Sequence, residues 1–343
     1  MKGSPQPLAP ERLMSQLGTT NQGAVATSGR RWRCLALSAV VIGCMPTTPA
    51  SAVVINTLTG SGNTSAPPDD PGWANVGVLG IGTGVYLGNG WVLTAAHVGS
   101  GSIVLNGGTY AMLAGSGTTL TNNGAPGKSA NTDLTMFRLT SNPPGLPDVS
   151  ISATSPAANA ATTMIGSGRD RGAFTQWSVN TSVTPWAWTE VSSGGNFAGY
   201  KTASSRTMRW GTNNVSESGI WIDDGFGDIY SLATVFSDSG SPSSEAQAAY
   251  GDSGGAIFHK NGSAWELAGM ILTVAGYSGQ PDPGANAVYG NATYGADLSF
   301  YRSQIMVIVP EPSVGILVAA GTVIALSALR RTGRRAITRG RPA

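Results

Sequence analysis

Cysteine is almost absent. The 343-residue chain holds two, Cys34 and Cys44, and both fall in one apolar run near the amino end. Once that run is removed on export, the body keeps no thiol, which excludes disulfides and thiolate metal sites. Histidine is as scarce: His97 and His259 are the only candidates for imidazole chemistry. Amphipathic helical periodicity is nearly missing, which argues against folds that lay helices over a parallel sheet. Positive charge is sparse in the body. Residues 53–309 carry nine Lys/Arg against sixteen Asp/Glu, a formal charge of −7, so nucleic acid is not an expected partner. What fills the chain is glycine, 48 in all, and short apolar runs bounded by turn residues.

The basic residues concentrate at the two ends. Arg30, Arg31 and Arg33 precede the apolar run 34–44, and Ala50-Ser51-Ala52 follows it. This order reads as a secretory signal within residues 1–52, cut after Ala52 by signal peptidase. The polar residues before it are an extended leader, or the start codon is placed too early, with Met14 as one alternative. Arg30-Arg31 also fits twin-arginine export, and Val41-Ile42-Gly43-Cys44 a lipoprotein box.

Residues 53–72 read as an extended lead-in rich in Gly, Ser, Thr and Pro. Strands are expected at 76–86 and 91–94, joined by an Asn89-Gly90 hairpin, then at 102–106, 109–113 and 134–139. The Pro-rich segment 142–147 reads as a linker. A second run follows at 162–166, 174–179, 186–191, 201–210, 219–223, 228–236, 255–260 and 265–274. Short strands with regular turn signals predict an all-β fold of antiparallel sandwiches or barrels. The one convincing helix spans 297–309, with Asp297 placed to cap its first turn. Trp186, Trp188 and Trp210 read as buried strand aromatics rather than a sugar-binding strip. Asp223-Asp224-Gly225-Phe226-Gly227-Asp228 lacks EF-hand spacing and reads as a solvated hairpin turn rather than a calcium site.

Chemistry is concentrated at Gly251-Asp252-Ser253-Gly254-Gly255. A serine between glycines sits where the backbone turns tightly, and the N–H groups of Gly251 and Ser253 can converge on a developing oxyanion. A serine needs a base. His97 lies in Thr94-Ala95-Ala96-His97, and Asp133 in Asp133-Leu134-Thr135-Met136. His, Asp and Ser therefore occur in that order. The G-x-S-x-G elbow requires Ser, acid, His, and His259 follows Ser253 too soon for that. Asp70, His97 and Ser253 would match a subtilisin order, but the helices of that fold are missing.

These three motifs resemble those of trypsin-like serine proteases, over about residues 73–308. The resemblance implies two antiparallel β-barrels, 73–145 and 146–308, carrying His97 and Asp133 on the first and Ser253 on the second. It implies Ser253 as nucleophile, His97 as general base and Asp133 as orienter. A polypeptide is then the substrate, with no cofactor and no metal. It further implies that Asp252 pairs with a freed amino terminus; cleavage after Ala52 would expose Val53, 44 residues before His97. Internal hydrogen bonds are the alternative for Asp252. By the same alignment Gln247, six residues before Ser253, floors the primary pocket, and Leu272, Thr273 and Val274 form its wall. An amide floor and a valine wall imply a small uncharged side chain, not Lys or Arg. A non-catalytic surface or matrix protein on the same scaffold is the competing reading.

The carboxyl end resembles a PEP-CTERM sorting tail. Pro310-Glu311-Pro312 precedes an apolar run, 313–329, and a basic stop at Arg330, Arg331, Arg334 and Arg335. The resemblance implies a transmembrane segment within 309–343 that holds the exported protein in the inner membrane, basic end inside. An exosortase-type enzyme would then release it to the surface of a Gram-negative cell. A plain membrane anchor is the alternative.

Overall fold

The protein is described by a computed structural model over residues 53–57, 59–240 and 242–309. The expected leader, signal, both cysteines and the sorting tail lie outside these residues. Among the described residues no helix is long and apolar enough to cross a membrane.

The first half contains β1 (Val54–Ile55), β2 (Val76–Leu79), β3 (Gly82–Gly88), β4 (Trp91–Ala95), β5 (Ile103–Leu105), β6 (Gly108–Tyr110), β7 (Thr118–Thr121) and β8 (Asn131–Arg138). Seven of these form one antiparallel sheet in the order β6-β5-β2-β3-β4-β8-β7. Its end strands, β6 and β7, do not pair, so the expected first barrel is an unclosed sheet. The expected single strand 76–86 is two. Gly80, at φ 55°, turns the chain, and Val76 then pairs with Val85. The Asn89-Gly90 hairpin forms as expected, with both residues in the left-handed region (φ 50° and 82°) that such tight turns need.

The second half contains β9 (Ala161–Gly166), β10 (Arg169–Asn180), β11 (Ala187–Val191), β12 (Phe197–Arg206), β13 (Arg209–Asp223), β14 (Asp228–Val235), β15 (Ala246–Gln247), β16 (Ala256–Asn261), β17 (Ala264–Ala275), β18 (Asn286–Val288) and β19 (Ala292–Asp297). Here a barrel does close, in the order β13-β14-β19-β17-β16-β9. The expected strand 201–210 is instead the end of β12 and the start of β13, which enter different sheets across residues 207–208. A four-stranded sheet, β11-β10-β12-β18, stands beside the barrel, with Trp177, Trp188, Phe197 and Tyr277 packed together on it. Helix α1 (Leu298–Ile308) ends the described chain, and the Asp297 side chain caps it by accepting from the Ser299 N–H.

One apolar core joins the halves. Val85, Leu93 and Met136 of the first sheet belong to the same buried cluster as Met270, Tyr294 and Leu298 of the second half. The Tyr301 hydroxyl of α1 pins this junction. It donates to Asn122 Oδ1 at 3.0 Å and accepts from Thr132 Oγ1 at 3.1 Å and the Tyr230 N–H at 2.9 Å. Burial pushes its pKa up to about 12. Tyr301→Phe leaves three partners unsatisfied at once, two of them buried, so it is expected to lower the unfolding free energy by about 1–3 kcal/mol. Urea titration of the variant against wild type measures this; an unchanged midpoint would mean the hydroxyl ties nothing together.

Candidate active site

Strand β4 delivers His97. Its ladder with β8 runs one rung beyond the strand, Ala96 N–H donating to the Asp133 carbonyl at 3.1 Å, and Gly99 then turns the chain back onto the Ala95 carbonyl. His97 is thereby set beside Asp133, the third residue of β8 rather than the residue before it. Asp133 Oδ1 accepts the His97 backbone N–H at 2.8 Å, and Asp133 Oδ2 bonds His97 Nδ1 at 2.5 Å. The Asp133 side chain is fully buried. An ionised carboxylate only accepts, so Nδ1 carries a proton, and in the neutral ring Nε2 keeps its lone pair.

Ser253 sits between β15 and β16. Gly251 and Gly254 adopt φ 95° and 81°. A Cβ on Gly254 would stand 2.0 Å from the Thr83 carbonyl oxygen, so only glycine fits there. The Ser253 carbonyl accepts the Thr83 N–H at 2.9 Å, which fixes the serine loop on strand β3 of the other half. Gly82 brings the two motifs together: a Cβ there would meet Val98 at 2.6 Å and the Ser253 carbonyl at 3.1 Å. The Ser253 hydroxyl donates to the Leu272 carbonyl at 3.2 Å, and among the described residues no hydrogen bond joins it to His97. The N–H groups of Gly251 and Ser253 have no partner among the described residues.

Asp252 lies beneath this loop, fully buried. Its Oδ1 accepts the Gly168 N–H at 2.7 Å and its Oδ2 the Ala249 N–H at 2.8 Å. The backbone N–H of Val53 bonds the same carboxyl. All three are internal hydrogen bonds, the alternative expected for Asp252, and the Val53 N–H is the one a freed amino terminus would replace. Burial pushes its pKa up to about 7, against the pull of those three N–H groups and of Arg206. Val53 and Ile55 are themselves fully buried, and β1 pairs with β15.

That pairing sets Val54 opposite Gln247. The Gln247 amide is buried; its Nε2 donates to the Pro283 and Ala248 carbonyls at 3.2 Å, while Oε1 has no partner. Leu272, Thr273 and Val274 lie on β17, and Val274 packs against the cluster that contains Ala246 and Ala248, the neighbours of Gln247. His259 stands apart on β16, its Nδ1 3.0 Å from the Ala161 carbonyl.

Residues 223–228 form the expected hairpin turn, with Asp223, Gly225 and Phe226 exposed, but the turn is docked on the rest of the site. Asp228 Oδ2 accepts the Ser129 N–H at 2.8 Å and Oδ1 pairs with Lys128 at 3.1 Å, clamping the β13–β14 turn to the loop before β8. The Phe226 ring, 64 % exposed, stacks on the His97 imidazole with centroids 4.5 Å apart and planes 15° from parallel. Asp224 enters the same site: polar atoms of His97, Asp133 and Asp224 all lie within 4.8 Å of one another. Sequence reasoning missed both roles. The one available signal was a large apolar ring between two glycines in an acidic turn.

The trypsin family's sequence model matches residues 60–294. The chain belongs to the trypsin family. Among solved structures it is similar to neuropsin, a serine protease expressed in the limbic system of mouse brain, at 16 % identity over 72 % of this chain and 98 % of that one, with a TM-score of 0.42. It is also similar to a mutant of human heparin binding protein, at 13 % identity over 74 % of this chain and 97 % of that one, with a TM-score of 0.45. No curated protein matches it.

Asp133→Asn keeps the shape at His97 but presents an amide to Nδ1 and favours the wrong tautomer. It is expected to slow fluorophosphonate labelling of Ser253 by about 10⁴-fold. Equal labelling rates in the two proteins would show that the tautomer is not set here.

Proposed function

We propose that this trypsin-family chain is an exported serine endopeptidase acting through His97, Asp133 and Ser253. The observation that carries the reading is the two-point grip of Asp133 on the His97 backbone and Nδ1, which leaves Nε2 free as a base. For this the Ser253 hydroxyl must leave the Leu272 carbonyl and donate to Nε2 instead. Nε2 takes the hydroxyl proton as Oγ bonds the scissile carbonyl carbon, and the Gly251 and Ser253 N–H groups receive the oxyanion. The imidazolium then gives its proton to the departing amine as the C–N bond breaks. Water, deprotonated by the same imidazole, hydrolyses the acyl-enzyme. The amide of Gln247 and the bulk of Val274 favour a small uncharged side chain over Lys or Arg at the cleavage position.

Export, signal-peptidase cleavage after Ala52, membrane retention and release by an exosortase-type enzyme belong to the same proposal and rest on the sequence at the two ends. Cleavage after Ala52 would turn the Val53 N–H into an ammonium against the Asp252 carboxyl, so removing the signal would also switch on the site.

A second reading is favoured by one observation: Ser253 bonds the Leu272 carbonyl and not His97, as suits a non-catalytic binding protein on the same scaffold. A fluorophosphonate probe separates the two. Labelling and peptide hydrolysis, both lost in Ser253→Ala, are expected of the protease; folded protein that never labels is the scaffold. For the switch, the chain beginning at Val53 is compared with the same chain carbamylated at its amino group. Stranding the buried Asp252 charge is expected to lower hydrolysis roughly 100-fold. Equal turnover by the two forms would remove the switch and leave the protease.

A further inference from the structure

The Asp224 carboxyl has an unmet hydrogen bond that a proton would satisfy. Its Oδ1 is satisfied, accepting the Phe226 N–H at 2.9 Å and the Gly227 N–H at 3.2 Å. Its Oδ2 is buried and has no donor. Its neighbour is another carboxyl: polar atoms of Asp224 and Asp133 lie within 4.8 Å of each other. Two carboxylates are acceptors only, so a bond between them requires that one holds a proton. Asp133 already accepts two N–H donors from His97, so the proton is placed on Asp224.

We propose that Asp224 is a positioning residue for the His97–Asp133 pair, donating an O–H from its carboxyl to the Asp133 carboxylate and so fixing the anion against the imidazole. The inference rests on the protease reading and deepens it. The β13–β14 turn is suited to the task. Asp228 fastens the turn to Lys128 and Ser129, and Phe226 covers the imidazole face while Asp224 reaches the carboxylate behind it. The groups that bear on Asp224 are Asp133 from β8, His97 after β4 and Tyr301 from α1; Asp223 and Asp228 are the other carboxyls of its own turn, the last paired with Lys128. Burial first, then the Asp133 charge, push the Asp224 pKa up to about 7. Above that pH the donor is lost and a second negative charge stands by the imidazole. Activity then falls on the alkaline side.

The experiment is the pH profile of kcat/KM from pH 5.5 to 9.5 for wild type, Asp224→Asn and Asp224→Ala, together with the ¹³C carboxyl titration of Asp224 in the intact protein. Asn offers a donor that cannot ionise. Its profile is expected to lose the alkaline limb and exceed wild type at pH 9 by about tenfold, the effect of one pKa unit. Ala offers no donor and is expected to fall about tenfold below Asn at pH 6.5, again one unit's worth. The carboxyl itself should titrate near 7. An active wild type whose profile superimposes on that of Asp224→Asn overturns the inference and leaves the protease standing. So does activity abolished by EDTA and restored by a divalent cation, since a metal would then hold the carboxyls together. A wild type that hydrolyses nothing while Asp224 still titrates near 7 fails the protease reading and keeps the proton pair; titration in the ordinary carboxylate range overturns the pair.

Discussion

A buried anion organises the site. The Asp133 side chain has no access to water, and a carboxylate in that position persists only if donors surround it. His97 supplies two, from backbone and ring, and each has a geometric cost that the sheet meets in advance. The ladder between β4 and β8 sets the backbone donor, and the turn at Gly99 sets the ring. The imidazole orientation is thus a consequence of solvating a charge with protein dipoles. The catalytic interpretation follows from which nitrogen that leaves unoccupied.

The same logic governs a second buried carboxyl. Asp252 lies under the serine loop and is held by N–H groups from three separate segments, at Gly168, Ala249 and Val53. The loop shape around Ser253 depends on that convergence, because Asp252 is its immediate neighbour. The serine loop is also sewn to the other half of the molecule through Thr83. Neither half carries the whole site, and the Tyr301 hydroxyl and the shared apolar core hold the two at a fixed spacing.

Much of this was legible in the sequence where the determinants are local. Asn89-Gly90 imposes its turn through backbone preference, Asp297 caps the helix that follows it, and the three motifs keep their order. The misses are non-local. Residues 76–86 alternate well enough to look like one strand, yet Gly80 turns the chain with Ile81 at the tip, 81 % exposed. Residues 201–210 bridge two sheets, and no local pattern distinguishes a strand's end from the next strand's beginning when both are β-prone. The short strands β18 and β19 are rich in Ala, Asn and Gly, which carry little periodic signal. Residues 223–228 were visible as a turn, but not what they press against. Their partners, Ser129 and His97, lie about a hundred residues away or more, and only the closed fold brings an acidic turn to a buried carboxylate.

Strand β1 is only two residues long, yet it pairs Val54 with Gln247, the amide proposed to receive the substrate side chain. Under that proposal, β1 and the recognition of substrate would share one set of backbone hydrogen bonds. Loosening of the strand and emptying of the pocket would then be coupled equilibria, a peptide that fits tightening β1 and one that does not leaving it loose.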